Sequence, residues 1–339
     1  MQRMNQPSAP RPALTLGTNI LYGVGSVAFG VHVAALSSLL MLFFNQVVGL
    51  PAAWVGAAMM VTLMFDAICD PLIGEWSDHS RSRWGRRHPF MYASAVPIAF
   101  AFYFLWNPPH GWSNRSLFMY LVALLVTVRL LLSLYEIPSI ALAPELTLDY
   151  DQRTGLMSSR FFFGTLGGAG MGVLALQVFL RKDGTHPLGL MNRAGYGQYA
   201  LVGGLLMFAS IMISCLGTHK FIANVVHEPK RAQSWSDRWR ELSGTLTNRS
   251  FLALIASGVF GAISLGLSTT LELYVDNYYW ELTPAQMSYF PMSSTLSAFV
   301  GVVLAPGISK RFGKKHSMIG LFVFSTFTAS GPMRYACSE

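Results

Sequence analysis

Blocks of about 20 apolar residues recur along this chain, and a helix of that length crosses about 30 Å of hydrocarbon. Charge-poor stretches of this kind lie at about residues 18–48, 52–75, 90–107, 116–143, 157–180, 196–218, 250–275 and 285–306, and a ninth begins near Met318. The 339 residues are 52% hydrophobic and 12% charged, and their mean hydropathy is +0.42. The sequence therefore predicts an all-α polytopic membrane protein.

The basic residues are distributed unequally between the loops. If the amino terminus is cytoplasmic, the inside segments hold 17 of the 24 Lys and Arg residues and the outside loops hold four. This asymmetry follows the positive-inside rule, so the net charge of +8 serves topology rather than a nucleic-acid partner. We expect a multi-pass protein of a bacterial inner membrane with a cytoplasmic amino terminus, and neither a disordered chain nor a disulfide-stapled secreted domain.

Cysteine chemistry and enzyme chemistry are both unexpected. Cys69 and Cys215 fall inside predicted spans and Cys337 lies near the end, so no pair has the setting of a disulfide or a zinc site. The sequence also lacks a catalytic triad pattern and the HExxH, Walker and CxxC motifs. It predicts no metal centre, no cofactor and no enzyme activity.

The longest polar stretch divides six spans from those that follow it. The predicted organisation is a cytoplasmic segment at 1–17, a six-helix bundle at 18–218, a cytoplasmic linker at 219–249 and a partial bundle at 250–339. One loop in each half repeats the pattern Arg-aromatic-Gly followed by two bases, at residues 83–87 and 311–315. Such internal symmetry is typical of secondary transporters.

Several motifs surround the first of these loops. They are Asp66-Ala67-Ile68-Cys69-Asp70-Pro71, Gly74-Glu75-Trp76-Ser77-Asp78, Arg83-Trp84-Gly85-Arg86-Arg87, Glu136-Ile137-Pro138, Pro144-Glu145-Leu146-Thr147 and Arg160-Phe161-Phe162. Their combination resembles the glycoside-pentoside-hexuronide:cation symporters of the major facilitator superfamily, which include the melibiose permeases. The resemblance implies two six-helix bundles around a central site; since the second bundle here stops after about three helices, we expect a truncated or frameshifted chain.

Asp66 and Asp70 are the candidate ligands of a coupling cation. They lie four residues apart, so a helix places both carboxylates on one face inside span two. Two neighbouring carboxylates in a membrane require a proton or a cation between them. The alternative for Asp70 is pairing with the basic loop through Arg81 or Arg83.

The resemblance adds two residues to this cation site. Ser133 stands where the family has a threonine near the cation, and Cys69 stands where it has an asparagine that binds sodium. A neutral thiol is a poor ligand for a hard cation, so the interpretation favours a proton over sodium.

Span four supplies the candidate substrate ligands. Arg129, Ser133 and Glu136 share one helical face. The resemblance implies that Glu136 accepts sugar hydroxyl groups and that Arg160 is its basic partner; Arg129 and His32 are further candidates. The alternative is an internal ion pair, Arg129–Glu136 or Arg160–Glu136, that only fixes helix packing.

The first span departs from the family at its acidic sugar ligand. Ungapped counting from Tyr22 places Gly30 at that position. The substrate class therefore stays open between a sugar and an amphiphile such as a lysophospholipid.

Two further sets of charges have predicted roles. Asp78, Arg83, Arg86 and Arg87 are interpreted as a conformational latch, since the resemblance implies that their loop pairs with neighbouring helix ends; the alternative is topology alone. In span seven, Glu272 and Asp276 lie four residues apart. We expect Asp276 at the solvated outer surface, and Glu272 is a candidate for the lining of an outer cavity.

The expected function is secondary active transport, as a cation- or proton-coupled symporter of a sugar or glycoside. Its partners are the substrate, the coupling cation and the lipid bilayer. Two rivals are kept: a symporter of amphiphiles such as lysophospholipids, and a truncated membrane protein that does not transport.

Overall fold

Long helices make up nearly all of the part of the chain that this computed structural model describes. The described residues are 15–80, 82–147, 149–181, 189–221, 247, 249–313, 316–317, 319–321 and 323–324. They contain no β-strand. Most of the predicted linker at 219–249 lies outside them, and so does Met318, where the ninth span was predicted to begin.

Eight long helices among the described residues follow the eight predicted spans. They are α1 (Leu16–Val47), α2 (Ala52–His79), α3 (His88–Leu105), α4 (Asn114–Leu146), α5 (Tyr150–Leu174), α6 (Arg193–His219), α7 (Arg249–Tyr278) and α8 (Tyr289–Phe312). A π-helical turn, Ala175–Phe179, extends α5, and a single turn, Pro284–Met287, precedes α8. Helices α1 to α7 are long and apolar enough to cross a membrane, which confirms the predicted multi-pass helical architecture.

Short polar side chains set the start of four of these helices. Thr15, Ser113, Asp149 and Asn192 each accept a hydrogen bond from the backbone N–H three residues further on, at 2.8–3.3 Å. Each bond satisfies one of the amide groups that have no partner in the first turn of a helix. Helices α1, α4, α5 and α6 therefore begin where the sequence supplies a cap.

The described chain forms two compact units. The first contains the described residues up to Met292, and the second begins at Ser293. Within the first unit, α1 packs against α5 and α6, α2 against α4, and α3 against both α4 and α6. The boundaries drawn from the sequence at residues 218 and 250 stay a prediction.

Helices α1 and α5 meet backbone to backbone through glycine. A Cβ atom on Gly30 would lie 1.8 Å from the carbonyl oxygen of Gly164, and one on Gly168 would lie 2.9 Å from the carbonyl oxygen of Gly30. Small residues permit this approach between membrane helices. The neighbouring helix therefore closes position 30, and no side chain fits there.

Because the two backbones are in contact at Gly30, one added methyl group there should destabilise the protein. Gly30→Ala should lower the unfolding midpoint in detergent, because overpacking costs about 1–3 kcal/mol. Gly170→Ala on α5 is the matched control, since nothing lies within 4 Å of a Cβ atom there. Thermal unfolding followed by tryptophan fluorescence compares the two; equal midpoints would contradict the backbone contact.

Candidate functional site

Arg129 of α4 joins the first, second and fourth helices. Its Nε and Nη2 atoms both bond to Oδ2 of Asp66 on α2, and its Nη1 atom lies 3.2 Å from Nε2 of His32 on α1. Asp66 is 8% exposed and His32 is 1% exposed. Because an arginine only donates, Nε2 of His32 is the acceptor in this contact. The structure thus brings two of the predicted substrate ligands, Arg129 and His32, to one of the predicted cation ligands.

Asp70 lies one turn further along α2 and is not paired in the same way. Its Oδ1 atom is buried and has no hydrogen-bond partner. Among the described residues no ion pair joins it to Arg83, whose guanidinium lies 5.5 Å from the ring centre of Trp84. The alternative partner, Arg81, lies outside the described residues. Cys69 beside it is a partly exposed free thiol.

Glu136 and Arg160 form a second buried ion pair, between α4 and α5. Nη2 of Arg160 pairs with Oε1 of Glu136, and Nη1 donates to Oγ of Ser139 at 2.6 Å. The guanidinium lies 5.4 Å from the ring centre of Tyr22, whose hydroxyl donates to the Ser139 carbonyl oxygen at 2.9 Å. Of the two ion pairs weighed from the sequence, the Arg160–Glu136 pair forms, and Arg129 pairs with Asp66.

The second oxygen of Glu136 has no partner. Oε2 is buried and has no hydrogen-bond partner. A carboxylate oxygen can accept a hydrogen bond from a hydroxyl group, and a guanidinium can donate to one. The pair thus combines an unused acceptor with a donor in the chemistry that suits a polyhydroxylated molecule. Ser133, one turn before Glu136 on α4, is partly buried.

Three of the four predicted latch residues, Asp78, Arg86 and Arg87, converge on the end of α4. Arg87 bonds to Oδ1 of Asp78 at 2.5 Å, to Oγ of Ser77 at 2.9 Å and to Oε1 of Glu145 at 3.1 Å. Arg86 donates to the same Glu145 oxygen from Nε, at 2.9 Å, and from Nη2. One carboxylate thus links the loop between α2 and α3 to α4. The guanidinium of Arg83 instead lies over the ring of Trp84.

Glu145 was not predicted as a site residue. Its motif, Pro144-Glu145-Leu146-Thr147, was recognised only as part of the resemblance. An acid at the end of a span, 58 residues from Arg87, is evident as a partner only when the fold places the two together.

The glycine in each repeated loop motif has the same unusual backbone. Its φ angle is +75° at Gly85 and +73° at Gly313. Glycine adopts this left-handed conformation without a steric penalty. The shared geometry agrees with the internal repeat inferred from sequence.

The expectation for span seven was wrong at Asp276. This residue is 8% exposed, whereas Glu272 is exposed. The segment after α7 folds back over the helix end, where the N–H of Leu282 donates to the Asp276 carbonyl oxygen at 2.9 Å. Spacing on a helix does not reveal a loop that covers its last turn.

The Asp66–Arg129 pair predicts a non-additive effect of substitution. Asp66→Asn should destabilise the protein by about 3 kcal/mol, because it leaves a guanidinium without its counter-ion. Adding Arg129→Gln should recover most of the loss, since neither charge then remains. Unfolding midpoints of both single variants and the double variant form the cycle. Strict additivity would contradict a direct pair.

The latch predicts local loosening. Glu145→Gln should increase hydrogen exchange in residues 82–92 and at the end of α4, because two guanidinium groups lose their shared carboxylate. Arg83→Gln is the control, as its guanidinium contacts the Trp84 ring. Unchanged exchange in the Glu145 variant would show that these ion pairs do not hold the loop.

Comparisons with known proteins agree with one another. A model of the family described as MFS/sugar transport protein matches residues 21–333. An uncharacterized symporter of Synechocystis sp. is 38% identical over 206 residues, which is 59% of this chain and 36% of that protein. The isoprimeverose transporter of Lactiplantibacillus pentosus is 27% identical over 333 residues, 94% of this chain and 66% of that protein.

An inner membrane symporter of Escherichia coli is 28% identical over 253 residues, 72% of this chain and 53% of that protein. The chain thus spans between about a third and two thirds of the length of these curated relatives. The names of these relatives describe transporters and not enzymes. The family match covers most of the chain, and the described residues include seven membrane-length helices, so this protein belongs to the MFS/sugar transport protein family of multi-pass membrane transporters.

Proposed function

We propose that this protein is a cation-coupled symporter of a sugar or glycoside in the bacterial inner membrane, with its amino terminus in the cytoplasm. The observation that carries the proposal is the Glu136–Arg160 pair. It lies buried inside a member of a sugar transport family and keeps one carboxylate oxygen, Oε2, free to accept a hydroxyl group. The inner-membrane location is supported by a relative of that description and by the asymmetry of the basic loops.

Relatives and the chemistry of the Glu136–Arg160 pair support a sugar as the substrate class. Similar proteins are described as an isoprimeverose transporter, a raffinose carrier and a glucuronide carrier homolog. Directional donors and acceptors at Arg160 and Glu136 replace the water around sugar hydroxyl groups. Whether His32 and Arg129 also contact the substrate stays a prediction.

Coupling is proposed at Asp70, with Asp66, Cys69 and Ser133 around it. Asp70 carries a buried carboxylate oxygen with no hydrogen-bond partner. A proton that binds there removes a negative charge from the membrane interior, which makes the loaded carrier less costly to rearrange. The neighbouring thiol of Cys69 supports a proton over sodium, because hard metal cations prefer oxygen ligands.

Helix α4 connects the two proposed sites. Arg129 and Glu136 are seven residues apart, which places them about 10 Å apart along the helix axis. Arg129 pairs with α2, and Glu136 pairs with α5. A change in either ion pair therefore acts on the same helix. In the proposed cycle, the latch at Glu145, Arg86 and Arg87 forms and breaks as the site opens to one side and then the other.

The proposal predicts separate losses of coupling and exchange. In proteoliposomes, Asp70→Asn should abolish accumulation of a labelled glycoside driven by a pH gradient but leave exchange of the glycoside partly intact, because the substrate ligands are unchanged. Arg83→Gln, outside the proposed sites, serves as control.

Isoprimeverose and raffinose are the first substrates to test, with a lysophospholipid as competitor. Full accumulation by the Asp70 variant would remove that residue from coupling. Competition by the lysophospholipid but not by glycosides would favour the amphiphile symporter. If the unsubstituted chain neither binds nor exchanges any of these solutes, it does not transport them by itself.

A further inference from the structure

The guanidinium of Arg129 binds the Asp66 carboxylate, to which a coupling cation would otherwise bind. A single oxygen of Asp66, Oδ2, accepts from both Nε and Nη2 of Arg129. A metal cation bound to Asp66 through this oxygen would need the same lone pairs. The two ligands are therefore mutually exclusive at that atom.

The guanidinium is anchored on more than one side. Its stem comes from α4, its Nε and Nη2 atoms contact α2, and its Nη1 atom lies 3.2 Å from Nε2 of His32 on α1. His32 is 1% exposed, and its other nitrogen, Nδ1, is buried without a hydrogen-bond partner. Three helices thus fix the position of this charge. A free ion that displaced Arg129 from Asp66 would leave the guanidinium without a carboxylate contact.

Asp66, Asp70 and Arg129 together carry one uncompensated negative charge. Asp66 and Asp70 carry two negative charges, and Arg129 supplies one positive charge. The remaining charge lies on Asp70, whose Oδ1 atom has no partner. A metal cation requires several oxygen ligands at once, and the residue next to Asp70 offers a thiol, Cys69. A proton requires only one lone pair.

From this geometry we propose that Arg129 is a tethered cation that takes the place of a metal ion at Asp66 and thereby restricts coupling to a proton. The inference rests on the proposed symport and adds a residue that determines the ion. It separates two carboxylates that look equivalent in sequence. Asp66 is neutralised by a charge that the protein itself carries, whereas Asp70 has a buried oxygen without a hydrogen-bond partner.

Removal of the tethered charge should create a sodium response. In Arg129→Gln the two carboxylates lie on one face of α2, one helical turn apart, without an internal cation. An ion that binds the folded state and not the unfolded state raises the unfolding midpoint in proportion to the logarithm of its concentration. The midpoint of purified protein is therefore measured at alkaline pH in increasing sodium chloride, against choline chloride at equal ionic strength.

The expected results differ between variants. The unsubstituted protein should show no difference between sodium and choline, and Arg129→Gln should gain a midpoint that rises steadily with sodium. The double variant Arg129→Gln with Asp66→Asn should lose that gain. Arg193→Gln is the matched control and should show no sodium response. Arg193 lies at the start of α6, and its guanidinium donates to the Pro108 carbonyl oxygen.

Four outcomes of the titration would overturn the proposal, and a fifth concerns purification. They are a sodium response in the unsubstituted protein, no response in a folded Arg129→Gln variant, an equal response in the Arg193→Gln control, and a response that survives the double substitution. If Arg129→Gln unfolds in choline, purification in sodium should recover it, because sodium then supplies the missing charge. Failure to recover it in sodium would also count against the proposal.

The measurement needs no sugar, which keeps it separate from the proposed function. A sodium response that appears only in Arg129→Gln supports the tethered cation even if no glycoside binds. In that case the symport of sugars fails and the ion-selecting role of Arg129 stands. Glycoside transport driven by sodium in the unsubstituted protein would support the symport of sugars and contradict the ion-selecting role of Arg129.

Discussion

The cost of burying charge in a membrane organises the first part of this protein around α4. Three charged residues of that helix, Arg129, Glu136 and Glu145, each bind an opposite charge from another segment. The partners lie on α2, on α5 and on the loop between α2 and α3, respectively. Separating any of these pairs leaves a charge without its partner, which is unfavourable inside a membrane. Helix α4 therefore keeps fixed neighbours at three levels, spread over about 24 Å of its length.

Glycine contacts determine which helices can supply those partners. The backbones of α1 and α5 touch at Gly30, Gly164 and Gly168, which brings Tyr22 of α1 against Arg160 of α5. The same contact excludes a side chain at position 30. Glu136 is the acid that pairs with Arg160 beside this contact.

The sequence indicated which residues share a helical face better than which residues pair. Helical spacing placed Arg129, Ser133 and Glu136 on one face of α4, and the Arg160–Glu136 pair was one of two that were weighed. The link from Arg129 to Asp66 was not foreseen, because 63 residues separate them and spacing within one helix carries no information about its neighbour. Glu145 and the burial of Asp276 were missed for the same reason, since both depend on segments that come from elsewhere in the chain.

The amino-acid sequence by itself determined the helices and the membrane environment. Apolar blocks of sufficient length must satisfy their backbone groups as helices in lipid, and capping residues mark where four of them begin. Only the tertiary structure decided which charges neutralise one another. A guanidinium on α4 could pair with an acid on its own helix or on another, and the choice depends on which helices pack together. In this chain that packing pairs Arg129 with Asp66 and leaves an oxygen of Asp70 without a hydrogen-bond partner.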